Sequence, residues 1–67
     1  MIEVFINGVA ERLPEPASVA GLLETRGLTG KRVAVERNGE IVPKSRHAET
    51  ALVTGDRIEI VVAVGGG

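Results

Sequence analysis

Few groups in this 67-residue sequence can do chemistry. Cysteine, tyrosine and tryptophan are absent, and His47 is the one histidine. A disulfide framework and a Cys/His zinc site are both excluded. His47 lies in the polar run Lys44-Ser45-Arg46-His47, with no carboxylate held near it, and reads as a surface histidine. Ser45 and His47 could be drawn as a nucleophile and its base. Residues two apart rarely align for that task, however, and no nucleophile elbow surrounds them. The glycines form neither G-x-G-x-x-G nor G-x-x-x-x-G-K, so they cradle no phosphate. Glu3, Glu36, Glu40, Glu49, Asp56 and Glu59 fall mostly at outward strand positions and turns. They read as a solvated face rather than as an acid/base pair.

What remains is the end of the sequence. Gly65-Gly66-Gly67 follows a strong strand pattern directly and ends in a carboxylate. One reading is a frayed, inert tail. The other follows from placement. A last strand anchored in the centre of a sheet would project the tail from a rigid base. Residues 64–67, extended at about 3.3–3.6 Å each, reach some 13–14 Å from the domain. Glycine lacks a Cβ, so such a tether passes through a channel too narrow for other residues. This geometry would deliver the terminal carboxylate into another protein's active site.

The elements that must position such a tail can be read from periodicity and turn chemistry. Ile2, Val4 and Ile6 alternate with Glu3 and Phe5, the period of a half-buried strand. Asn7-Gly8 supplies a tight hairpin turn, and residues 9–13 return as a weaker strand, with Glu11 in the inward phase of Val9 and Leu13. Pro14 and Pro16 stop it. Ser18 reads as a helix N-cap, with Val19, Leu22 and Leu23 as one apolar face and Gly27 as the residue that ends the helix. Gly21 in mid-helix marks either a close approach to the sheet or a tolerated cost. A third strand covers 32–37, Asn38-Gly39 is a second hairpin turn, and Glu40-Ile41-Val42 is a short edge strand before Pro43. Residues 45–52 are either one helical turn capped by Ser45, with Leu52 as anchor, or an irregular loop. Residues 57–64 form the longest strand pattern, with Ile58, Ile60 and Val62 in one phase. Two hairpins flanking one helix give an α+β domain: a mixed sheet with the helix on one face, its first and last strands central and parallel.

Composition narrows the function classes. A chain of this length holds one domain and buries only about 60% of its unfolded surface. Without disulfides or metal, stability must come from aliphatic packing, which ten Val, five Ile and five Leu provide. Eight basic against nine acidic residues leave a net charge of −1, so no basic field draws the chain to nucleic acid or anionic lipid. Phe5 is the one aromatic residue, which argues against stacking on single-stranded nucleic acid. No apolar run approaches the roughly 20 residues that span a bilayer, and the N-terminus lacks the layout of a secretion signal. A soluble, cytoplasmic, monomeric protein is expected.

Several stretches together resemble one family. Val33-Ala34-Val35, Asn38-Gly39-Glu40-Ile41-Val42-Pro43, His47-Ala48, Leu52, Gly55-Asp56-Arg57-Ile58-Glu59-Ile60-Val61 and the terminal Gly-Gly are similar to the sulfur carrier proteins of thiamin biosynthesis, the ThiS family. The Asn7-Gly8 hairpin and the Ser18-Val19 helix start also fit. The resemblance covers the whole chain. The terminal Gly-Gly is shared with ubiquitin-like modifiers and molybdopterin sulfur carriers, whereas the Asn-Gly-Glu-Ile-Val-Pro stretch is more specific. Gly65 is a departure, a third glycine that lengthens the tail.

The resemblance implies a ubiquitin-like β-grasp domain over 1–64 with a flexible glycine tail over 65–67. It implies a protein cosubstrate rather than an enzyme, with no catalytic side chain and no metal site. The Gly67 carboxylate would be adenylated by a partner enzyme that uses ATP and magnesium, with Gly65 and Gly66 threaded into that enzyme's active site. Sulfur from a cysteine desulfurase persulfide would convert it to a thiocarboxylate, which thiazole synthase would consume. No cofactor would be bound by this chain.

In a β-grasp sheet the first and third strands flank the last. If Ile2, Val4, Ile6, Val33, Val35, Ile58, Ile60 and Val62 face the helix, then Glu3, Phe5, Ala34, Glu36, Glu59, Val61 and Ala63 face outward. Phe5, Ala34 and Val61 would form one apolar docking patch rimmed by Glu3, Glu36 and Glu59. The alternative buries Phe5 in the core. Two rival functions stay open: a ubiquitin-like carrier for another sulfur pathway or for protein conjugation, and a β-grasp interaction module with an inert tail.

Overall fold

Alternation in the first strand translates directly into burial. In the computed structural model, which describes residues 1–63, Ile2, Val4 and Ile6 of β1 (Ile2–Ile6) are buried and the residues between them are exposed. Asn7 and Gly8 both take positive φ, 51° and 84°, the type I′ geometry whose twist suits a two-residue hairpin. The chain returns as β2 (Val9–Leu13), antiparallel to β1, with Ile6 opposite Val9 and Ile2 opposite Leu13. β2 is an edge strand and only partly covered. The inward-phase Glu11 is answered by an ion pair with Arg26 at the end of the helix.

The helix α1 (Val19–Thr25) starts where the hydroxyl of Ser18 accepts from the amide of Gly21 at 3.0 Å. That bond satisfies one of the orphan donors of the first turn. It ends at Gly27, at φ 70°, with the amide of Leu28 bonded to the carbonyl of Leu23 and that of Gly27 to Glu24. These two bonds are the Schellman pattern, which only a residue at ease with positive φ completes. Gly21 makes no close approach to the sheet. A Cβ there would meet only Ser18 Oγ, at 3.3 Å.

β3 (Val33–Arg37), the second positive-φ pair Asn38-Gly39 and β4 (Glu40–Ile41) form the second hairpin. β5 (Arg57–Val62) enters between the hairpins, giving the strand order β2-β1-β5-β3-β4. It runs parallel to β1 and antiparallel to β3. The expected mixed sheet, with the first and last strands parallel and adjacent, is therefore formed. Residues 44–46 make one turn of 3-10 helix that Ser45 does not cap, and the chain is irregular from there to β5. Leu52 anchors that stretch in the core, and the amides of Val19 and Leu52 bond across to Thr50 and Ala17.

The core comprises Ile2, Val4, Ile6, Val35, Ile58 and Ile60 from the sheet, closed over by Val19, Leu22 and Leu23 of α1 and by Leu52. It is smaller than the alternation implies: Val33 is only partly buried, and Val62, in the inward phase at the end of β5, is 42% exposed. Two polar residues depart from expectation more sharply. His47 is buried rather than on the surface, its Nε2 donating to the carbonyl of Val42 at 3.0 Å. Asp56 is also buried, and so is not part of a solvated acidic face. Among the described residues no helix is long and apolar enough to cross a membrane, and no group of three or more His, Cys, Asp or Glu side chains is placed to hold a metal ion.

Candidate functional site

The residues that end the sequence follow β5, so the site begins with what fixes that strand. At its start, the carboxylate of Asp56 accepts from Arg37 Nε at 2.9 Å, from the amide of Val53 at 2.9 Å and from Asn38 Nδ2 at 3.0 Å. Burial would push this carboxyl up. The hydrogen bonds from Arg37, the Val53 amide and Asn38, together with the Arg37 charge, outweigh it and hold the group below the ordinary carboxylate range. Asn38 Oδ1 also accepts from the amide of Arg57 at 2.9 Å. On the opposite flank, Asn7 Oδ1 accepts from the amide of Ile60 at 2.8 Å and Asn7 Nδ2 donates to its carbonyl at 3.2 Å. The two turn asparagines thus clamp β5 from both sides. At its far end the amide of Ala63 bonds to the carbonyl of Arg32 at 2.8 Å. Gly65, Gly66 and Gly67, the expected tail and reacting residue, lie outside the described residues.

The outward face of the sheet carries Glu3, Phe5, Ala34, Glu36, Glu59, Val61 and Ala63, as alternation requires. Their arrangement differs from the expected patch. Ala34 pairs directly with Val61, and Glu36 directly with Glu59. Phe5 pairs with Arg57, four residues down β5 from Val61, or roughly 13 Å at about 3.3 Å per residue. The glutamate pair therefore lies between Phe5 and Val61 and does not rim them. Phe5 is not a core residue, but neither is it bare: it is 36% exposed, with the Arg57 guanidinium 5.8 Å from its ring centre. One contiguous Phe5–Ala34–Val61 patch is thus replaced by two apolar islands. The island nearer the end of β5 holds Val61, 62% exposed, with Ala34 and Ala63.

Sequence reasoning missed several members of this face, two of which adjoin the glutamate pair. Arg57 shares the phase of Glu59 and Val61, so alternation places it outward. Ile41, 63% exposed, pairs with Glu36 across the Asn38-Gly39 turn. The two-residue loop fixes that register, so the signal was available.

Comparison with known proteins bears on this arrangement. The family described as the ThiS family matches residues 3–67. The chain is 44% identical over 66 residues to a thiazole synthase of Paramagnetospirillum magneticum, covering 98% of this chain and 20% of that protein. It is 45% identical over 53 residues to the sulfur carrier protein ThiS of Bacillus subtilis, covering 79% of this chain and 80% of that one. The crystal structure of the thiamine biosynthesis protein ThiS from Geobacter metallireducens superposes with a TM-score of 0.82 at 28% identity, covering 98% of this chain and 100% of that one. The chain spans about a fifth, 20%, of the length of the thiazole synthases it matches.

Proposed function

The chain belongs to the ThiS family, and from that premise we propose that it carries sulfur for thiamine biosynthesis on the carboxylate of Gly67. Its fold is the ubiquitin-like β-grasp of that family, a five-stranded mixed sheet with one helix. The observation that carries the reading is the fixing of β5. Sheet neighbours and two asparagine clamps hold the strand, so whatever follows Ala63 starts from a rigid base. The chain acts as a cosubstrate and contributes no catalytic side chain.

A carboxylate is a poor electrophile, because its charge is delocalised and oxide is a poor leaving group. In the proposed sequence, an adenylating partner uses ATP and magnesium to cancel that charge. A Gly67 oxygen attacks the α-phosphorus and pyrophosphate leaves. The terminal sulfur of a persulfide from a cysteine desulfurase system then attacks the carbonyl carbon, losing its proton to a base, and AMP leaves. A thiol attacks the sulfur that came from the donor's cysteine. The electrons of the broken S–S bond stay on the carbonyl sulfur as a thiocarboxylate, and the two thiol sulfurs become a disulfide. Thiazole synthase takes the sulfur from there. That assignment is supported by two relatives called thiazole synthase, each containing a region similar to this chain.

The test is pyrophosphate exchange with the adenylating partner, followed by intact mass. The full chain should support exchange and, with the sulfur donor, gain the mass of one oxygen replaced by sulfur, mapped to Gly67. A chain lacking Gly66 and Gly67 that exchanges equally well overturns the reading.

A further inference from the structure

Between α1, residues 28–32 and the start of β3 lies a half-open groove of about 650 Å³, within the range of ligand-binding clefts, whose lining includes residues from both faces of the sheet. Its floor is apolar: Ala20 and Leu23 from the helix, Leu28, and Val33 from β3. Its rim is basic. Lys31, Arg32 and Lys44 line it and are exposed, and among the described residues none has a carboxylate within ion-pair distance. Glu24 is the one acidic residue opposing them there. The groove wall continues to Ala34, Val61 and Ala63, so it meets the apolar island at the end of β5.

We propose that this groove seats an acidic segment of the adenylating enzyme, anchored by an aliphatic side chain on the Leu23–Leu28–Val33 floor and held by Lys31, Arg32 and Lys44. The proposal rests on the sulfur-carrier reading. Three arguments choose this occupant. The rim is complementary to carboxylates and the floor to an aliphatic group. The groove adjoins Ala63, so a protein that receives the four residues beyond it, a reach of roughly 13–14 Å at most, lies against this wall. Finally, a glycine carboxylate bears no distinguishing mark. An enzyme that adenylates it must recognise its substrate by the folded domain, whereas the enzyme that consumes the sulfur can recognise the thiocarboxylate itself. The two signs of charge, basic at the groove and acidic at Glu36 and Glu59, would fix one docking orientation.

The experiment measures pyrophosphate exchange as a function of carrier concentration, using the full chain. Lys31→Glu with Lys44→Glu should raise the carrier KM about tenfold or more, as removal of complementary charge from an interface does, with kcat and the urea midpoint kept. Lys31→Arg with Lys44→Arg should leave KM unchanged. Arg12→Glu with Arg46→Glu changes net charge equally but lies outside the groove, and should also leave it unchanged. An unaltered KM for the first pair overturns the groove assignment alone, because the wild-type exchange still stands. So does an equal rise for the Arg12/Arg46 pair, or a loss confined to sulfur transfer to thiazole synthase. Absence of exchange by the wild-type chain is a different result and removes the carrier reading together with the groove.

Discussion

The side-chain amide of Asn7 takes both backbone hydrogen bonds of Ile60, accepting from its N–H at 2.8 Å and donating to its carbonyl at 3.2 Å. β1 has already ended there, at Ile6 opposite Ile58. The asparagine therefore does the work of a further strand residue and carries the parallel ladder one step along β5. The same residue forms the turn to β2 at φ 51°.

Replacing Asn7 by glycine separates these roles, since glycine accepts the positive φ but offers no amide. Asn7→Gly is expected to lower the unfolding free energy by about 2 kcal/mol, the worth of two such bonds with Ile60 left unpaired. Hydrogen exchange at Ile60 should accelerate more than at Val4. A urea melt together with amide exchange checks both; an unchanged midpoint would show the clamp to be dispensable.

Asp56 makes stability depend on pH. Its folded pKa is held below that of a free aspartate, so the unfolded chain binds the proton more readily. The contribution is present above about pH 4 and is lost as pH falls through the lower folded value. Stability should hold level from neutrality to about pH 5 and fall below that. Asp56→Asn should cost about 2–4 kcal/mol at neutral pH, because Arg37 and the Val53 amide lose a charged acceptor, and should flatten the acid limb. Thermal melts at pH 3 to 7 for both chains measure this; parallel acid limbs would assign the effect elsewhere.

Glu36 and Glu59 sit directly opposite one another on the exposed sheet face, a like-charge cross-strand pair that disfavours the free chain. Glu59→Gln should therefore stabilise the monomer by a few tenths of a kcal/mol, up to about 0.5. If the face docks a basic partner surface, the same change should weaken binding several-fold at low salt and less at high salt. A urea melt beside a binding titration with the adenylating enzyme measures the two together. Tighter binding by the variant would remove this face from the interface.

Much of this architecture is legible in residue order because its determinants are local. Ile2-Val4-Ile6, the two Asn-Gly pairs, Ser18 and Gly27 each act within a few residues of themselves, and each takes the expected role. The docking face was legible only in part. Alternation states which face a residue occupies but not its height along the sheet, and the β1–β5 pairing is parallel, with no turn to set its register. Phe5 consequently lies opposite Arg57 and not beside Val61. His47 and Asp56 are single polar residues in irregular stretches. Their burial is decided by distant partners, Val42 for one and Arg37 for the other, which no local period announces.

The asparagine clamps also bear on how the protein ages. An Asn-Gly pair loses ammonia when the glycine amide nitrogen attacks the asparagine side-chain carbonyl carbon, and that attack needs a side chain free to rotate. Asn7 is pinned to Ile60, and Asn38 to Arg57 and Asp56, so each is shielded while β5 is seated. Covalent damage at either turn then records how often the central strand has opened. Once formed, an aspartate at position 7 would turn an oxygen toward the Ile60 carbonyl where an amide had donated, so each lesion weakens the seating that had prevented it.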